Sequence, residues 1–159
     1  MNPTYETAVI EADPTLPIIR IARDFAAAPA LIIKAHTDPA LFARWVGPEG
    51  METEIIDWDP TNGGRWRYVA RQNGEEYFFR GCFHEVSDSR IVQTFTFEGW
   101  PDAVSLETMT FEDLGNGTTR MHAQSLVDSF EGRDQWLASG MEVGVDQGYA
   151  KLDALLAAI

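Results

Sequence analysis

Residues Arg133–Ile159 read RDQWLASGMEVGVDQGYAKLDALLAAI. Leu137, Met141, Val145, Gly148, Leu152 and Leu155 recur at spacings of three and four, which predicts one long amphipathic helix with a buried stripe. Gly140, Gly144 and Gly148 stand four residues apart and so share one face. Glycine inside a helix costs roughly 1 kcal/mol relative to alanine, so the set would cost about 3 kcal/mol. A face this smooth either lets a sheet approach closely or leaves room for a guest. Glu142, Asp146 and Gln147 interrupt the run and exclude a membrane-type glycine motif.

Upstream of this helix the apolar period is two. Glu52 to Trp58 predicts a strand, the turn Asn62-Gly63-Gly64 follows, and Arg65 to Arg71 alternates arginine with Trp66, Tyr68 and Ala70. Strands over Glu76–Val86, Ile91–Glu98, Val104–Glu112 and Thr118–Val127 follow, separated by Asn73-Gly74, Ser87–Ser89, Pro101-Asp102 and Gly115–Gly117. Before this meander, Ile18 to Phe25 reads as a strand, Pro29 begins a short helix to about Ala35, and Asp38-Pro39 caps a second over Ala40–Val46. Residues 1–15 read as a loosely ordered lead-in. Helices segregated from strands predict an α+β domain of about six to seven antiparallel strands curved around the last helix.

One domain accounts for all 159 residues. The formal net charge of −13 repels phosphate backbones and anionic lipid alike, which disfavours nucleic acid and membrane surfaces as partners. The acidic start carries no secretory signal, and the single cysteine, Cys82, cannot form an intrachain disulfide. A cytoplasmic protein is expected.

Alternation assigns faces. Trp66, Tyr68 and Ala70 share one, as do Phe95 with Phe97, Met109 with Phe111, and Met121 with Ala123; these sets should point inward. Aromatic strands facing a glycine-bearing helix form either an ordinary core or a concave apolar space of the kind that takes small molecules. The residues expected to bind such a ligand are Trp66, Tyr68, Phe95, Phe97, Met109, Trp136, Gly140, Met141 and Gly144. Glu107 falls in phase with Met109 and Phe111, which places a carboxylate either inside the space, near Ser125 and Tyr68, or in solvent if the register slips. It is the candidate general base of an enzymatic alternative, with Tyr68 orienting or protonating substrate. His36, His84 and His122 lack metal-ligand spacing, and Gly63-Gly64 joins two strands rather than opening a helix, so neither a metal nor a nucleotide cofactor is expected. Cys82 reads as a small buried or half-buried residue.

Several motifs occur in a familiar order: Arg23-Asp24-Phe25, Ala28-Pro29, Thr37-Asp38-Pro39, Arg44-Trp45-Val46-Gly47-Pro48, Gly63-Gly64-Arg65-Trp66-Arg67, Thr94-Phe95-Thr96-Phe97 and Gly117-Thr118-Thr119. Over residues 17–157 the chain resembles the START-like (SRPBCC) superfamily, in the branch related to the C-terminal domain of the Hsp90 ATPase activator Aha1. The resemblance implies a helix-grip fold, with a curved sheet around a long C-terminal helix and a cavity between them. It also implies a choice of roles, since members carry lipids, hormones or polyketides, some are cyclases, and the Aha1 domain binds a chaperone. No catalytic set is common to them, so a ligand-binding protein is the leading expectation, with a cyclase-like or hydrolytic enzyme and an Hsp90-interacting stress-response module as alternatives. The chain departs from this branch at Pro60-Thr61-Asn62, and at Ser125, where histidine is common.

Overall fold

Ile18–Phe25 forms a strand that pairs not with the next strand in sequence but with the last one, because two helices intervene. The computed structural model describes residues 4–159. The elements in order are β1 (Val9–Ala12), β2 (Ile18–Phe25), α1 (Pro29–Thr37), α2 (Pro39–Trp45), β3 (Glu52–Trp58), β4 (Arg65–Gln72), β5 (Glu75–Val86), β6 (Arg90–Phe97), β7 (Val104–Gly115), β8 (Thr118–Leu126), α3 (Phe130–Ala138) and α4 (Met141–Ala158). They build one antiparallel sheet of eight strands in the order β1-β2-β8-β7-β6-β5-β4-β3. The fold is the expected α+β helix-grip arrangement.

The local chemistry explains the helix starts. Asp38 accepts hydrogen bonds from the backbone N–H groups of Ala40 at 2.9 Å and Leu41 at 3.3 Å, while Pro39 takes the first helical position, where no N–H is needed. Ser129 caps α3 in the same way through the N–H of Gly132 at 2.9 Å.

Two expectations need correction. The predicted lead-in carries β1, which pairs with β2 from Val9↔Ala22 to Ala12↔Ile19. Its four residues are mostly exposed, so backbone hydrogen bonds rather than an apolar alternation hold it at the sheet edge. Residues 1–3 lie outside the described residues. The predicted single C-terminal helix is two helices broken at Ser139-Gly140, with Gly140 in the left-handed region at φ 82°. A glycine just past a helix end adopts that conformation without the clash a β-carbon brings, so Gly140 terminates α3 instead of weakening a helix interior.

One apolar cluster joins the sheet to the helices. Tyr149, Leu152, Leu155 and Leu156 of α4 pack with Phe25, Ile91, Phe111 and Met121 of the strands and with Ile32 and Ala35 of α1. Fully burying a leucine such as Leu152 contributes about 1.5–3 kcal/mol. Arg23 of β2 bonds Asp153 of α4 through its two terminal guanidinium nitrogens, at 2.8 and 2.6 Å, which fixes the helix against the strand. Among the described residues, no helix is long and apolar enough to cross a membrane.

Candidate functional site

The first half of α4 does not close against the sheet. Between it, α1, α2 and the inner face of β2–β8 lies a cavity of about 380 Å³. Its walls are aromatic because the inward-facing alternate positions of neighbouring strands carry rings. Trp66 and Tyr68 stack at 5.6 Å between centroids, Tyr68 stacks on Phe79 at 5.1 Å, and Phe79 meets Phe95 at 5.5 Å. From α2, Phe42 reaches Trp58 at 5.0 Å and Tyr68 at 5.5 Å.

Of the residues expected from sequence, Trp66, Tyr68, Phe95, Met109, Met141 and Gly144 line this cavity. Three lie elsewhere. Phe97 is on the correct face but further along β6, against Phe79, Tyr77 and the backbone of Gly99. Trp136 stacks on Trp100 at 6.2 Å beside Val104 and Val127, because α3 runs away from the cavity before the break at Gly140. Gly140 itself is outside, with no atom within 4 Å of a β-carbon built on it.

Glu107 is inside. Its neighbours in register are Gln93 on β6 and Ser125 on β8, so three polar side chains form a row across three strands. Gln93 Nε2 donates to one carboxyl oxygen at 2.9 Å and Ser125 Oγ to the other at 3.1 Å. The β7 bulge at Asp113/Gly115 lies away from this row, and the β5 bulge at Phe83/Glu85, although opposite Gln93, leaves the β6–β7 and β7–β8 pairing at Glu107 unbroken, so the slip that would have left Glu107 in solvent does not occur. Burial pushes its carboxyl above the ordinary range, and the two donated hydrogen bonds oppose that rise. Burial, then the nearby Glu107, also holds the Tyr68 and Tyr149 phenols well above their usual range.

Periodicity did not reveal His36, Trp45, Trp58 and Tyr149, which also line the cavity. His36 is buried against Trp45 and Phe111, and burial lowers its imidazole to about 4, which makes it neutral near pH 7. Its Nδ1 lies 2.8 Å from the Ile32 carbonyl, so the neutral ring carries its proton there and Nε2 is an acceptor. The indoles of Trp45 and Trp58 donate to the Ala35 and Thr37 carbonyls at 2.9 and 2.7 Å. The Trp66 indole N–H is buried and has no hydrogen-bond partner among the described residues. Cys82, expected to be buried or half-buried, is exposed. His84 and His122 are exposed too, and among the described residues no three His, Cys, Asp or Glu side chains gather as metal ligands.

A half-buried carboxylate held by two neutral donors inside an aromatic cavity can accept a proton from a bound molecule or pair with its polar end. The family model described as "Activator of Hsp90 ATPase homolog 1-like protein" matches residues 26–157. Solved structures of similar shape include a Rhodobacter sphaeroides protein, 25% identical, with a TM-score of 0.85 over 95% of this chain and 99% of that one. A Mycobacterium smegmatis protein is also 25% identical, with a TM-score of 0.84 over 96% and 98% of the two chains. An Hsp90 activator from Plasmodium falciparum shares the fold at 18% identity, with a TM-score of 0.62 over 88% and 96%. Comparison with curated proteins gave no match.

Proposed function

The chain belongs to the Activator of Hsp90 ATPase homolog 1-like family, and on that premise we propose that it binds a small, largely apolar molecule in the cavity between the sheet and α4. The cavity itself carries this reading: about 380 Å³ walled mainly by Trp58, Trp66, Tyr68, Phe79 and Phe95, with one polar row on its floor. An ordinary core would have filled that volume with side chains at crystal-like density. Each 100 Å² of apolar ligand surface buried there contributes about 2.5 kcal/mol. Native mass spectrometry of freshly purified protein tests the reading. A co-purifying small molecule, absent from a folded Gly144→Leu variant, supports it; a variant that retains the same adduct refutes the site.

Glu107 favours a second reading, in which the bound molecule undergoes proton transfer to that carboxylate with Tyr68 beside it. Slow exchange of deuterium into a carbonyl compound, lost in Glu107→Gln, would support it. The family description and the Plasmodium activator also support a chaperone partner, for which retention on immobilised Hsp90 is the test.

A further inference from the structure

The cavity carries a carboxylic acid and, among the described residues, no lysine or arginine. Glu107 is half-buried in the cavity wall, yet none of the described residues lining the cavity forms an ion pair with it. A carboxylate drawn partly out of water without a countercharge is costly, a cost that most folds avoid by supplying one. Here the partners are neutral: Gln93 and Ser125 each donate to a different oxygen, which suits an ionised acid and leaves the remaining lone pairs free.

Tyr68, Tyr149 and His36, which line the same cavity, can each accept a hydrogen bond from a cation, and none is itself charged near pH 7. Tyr68 from β4 and Tyr149 from α4 are neutral phenols whose hydroxyls form no hydrogen bond to the described residues. His36 from α1 has its proton committed to the Ile32 carbonyl, so its other nitrogen offers only a lone pair. The rings of Trp66, Tyr68, Phe79 and Phe95 line the same cavity and supply an apolar wall for the body of a ligand. The whole chain, at −13, adds long-range attraction for cations.

We propose that the ligand is a protonated amine on an apolar body, its ammonium paired with Glu107 and its body laid against the Trp66, Tyr68, Phe79 and Phe95 rings. This rests on the cavity-binding reading above and adds the ligand's charge to it.

The test is a matched pair of probes, 4-phenylbutylamine and 4-phenyl-1-butanol, titrated calorimetrically into the wild-type chain and into Glu107→Gln. Titration of the neutral dye N-phenyl-1-naphthylamine runs alongside. The expected result is an amine that binds the wild type at least about tenfold more tightly than the alcohol. That ratio should collapse towards one in Glu107→Gln. If the alcohol binds the wild type as tightly as the amine, or Glu107→Gln leaves the ratio unchanged, the amine is overturned while the cavity reading stands. If neither probe nor the dye binds, the cavity reading fails and the amine with it. The wild-type ratio decides the matter even if Glu107→Gln does not fold.

Discussion

A β-carbon built on Gly148 falls 3.3 Å from the carbonyl oxygen of Trp45, and 3.5 Å from backbone atoms of Gly47. Backbone cannot step aside as a flexible side chain can, so this glycine lets α4 lie against the end of α2. One turn earlier, a β-carbon on Gly144 meets only Pro48 Cδ, at 3.7 Å, an ordinary contact, although both glycines border the cavity. The two helical glycines therefore have different purposes.

Substitution separates them. Gly144→Ala should raise stability by up to about 1 kcal/mol, since it gains helix propensity without a clash. Gly148→Leu should lose about 3 kcal/mol or more by forcing the two helices apart. Thermal unfolding of both variants checks the contrast, and equal effects would contradict it.

Gly140 holds a left-handed conformation at φ 82° with open space around it. Gly140→Ala should cost about 1–2 kcal/mol from backbone strain alone, and Gly140→Asn less, because asparagine tolerates that region better. Chemical denaturation of the pair measures it. A stabilising alanine would mean that one continuous helix forms after all.

Asp153 is the exposed partner of Arg23, whose own side chain is only 7% exposed. Asp153→Asn should cost about 2 kcal/mol. That is less than a fully buried pair would lose, because solvent already screens the carboxylate, and more than a surface pair, because Arg23 stays buried. The denaturation midpoint should fall without a change in slope.

Acid should destabilise the fold through His36. Its imidazole titrates near 4 when folded and near 6.5 when unfolded, so the unfolded chain binds the extra proton in between. Stability is complete above 6.5 and should fall by about 3 kcal/mol as pH drops to 4. Glu107 acts in the opposite sense. Its carboxyl is raised above the ordinary 4.5, so its contribution is present below 4.5 and is lost as pH rises through the folded value. Glu107→Gln should therefore gain stability relative to the wild type between pH 4 and 8. Urea titrations across that range would show the two trends, and a variant whose advantage shrank with rising pH would contradict the placement of Glu107.

The strand side of the cavity was legible in the sequence, because a period of two names the inward face directly: Trp66, Tyr68, Phe95 and Met109 are all there. Phase gives a face but not a height along the strand, so Phe97, in phase with Phe95, lies past the cavity. The helix side was largely hidden. Which way α1 and α2 present His36, Phe42 and Trp45 depends on how they pack across the sheet, and no local pattern encodes that. The three-and-four spacing also continues unbroken from Leu137 to Met141, so only the backbone angle at Gly140 reveals the end of α3 and the exclusion of Trp136. Glu107 was legible in phase and ambiguous in environment until its register with Gln93 and Ser125 was fixed.

Titration of N-phenyl-1-naphthylamine into the wild type and Gly144→Leu, followed by dye emission and by quenching of the cavity tryptophans, tests the proposed site most directly. The account predicts saturable binding to the wild type and a loss of about a hundredfold or more in a variant that still unfolds cooperatively. Equal affinity in the two folded proteins would contradict it.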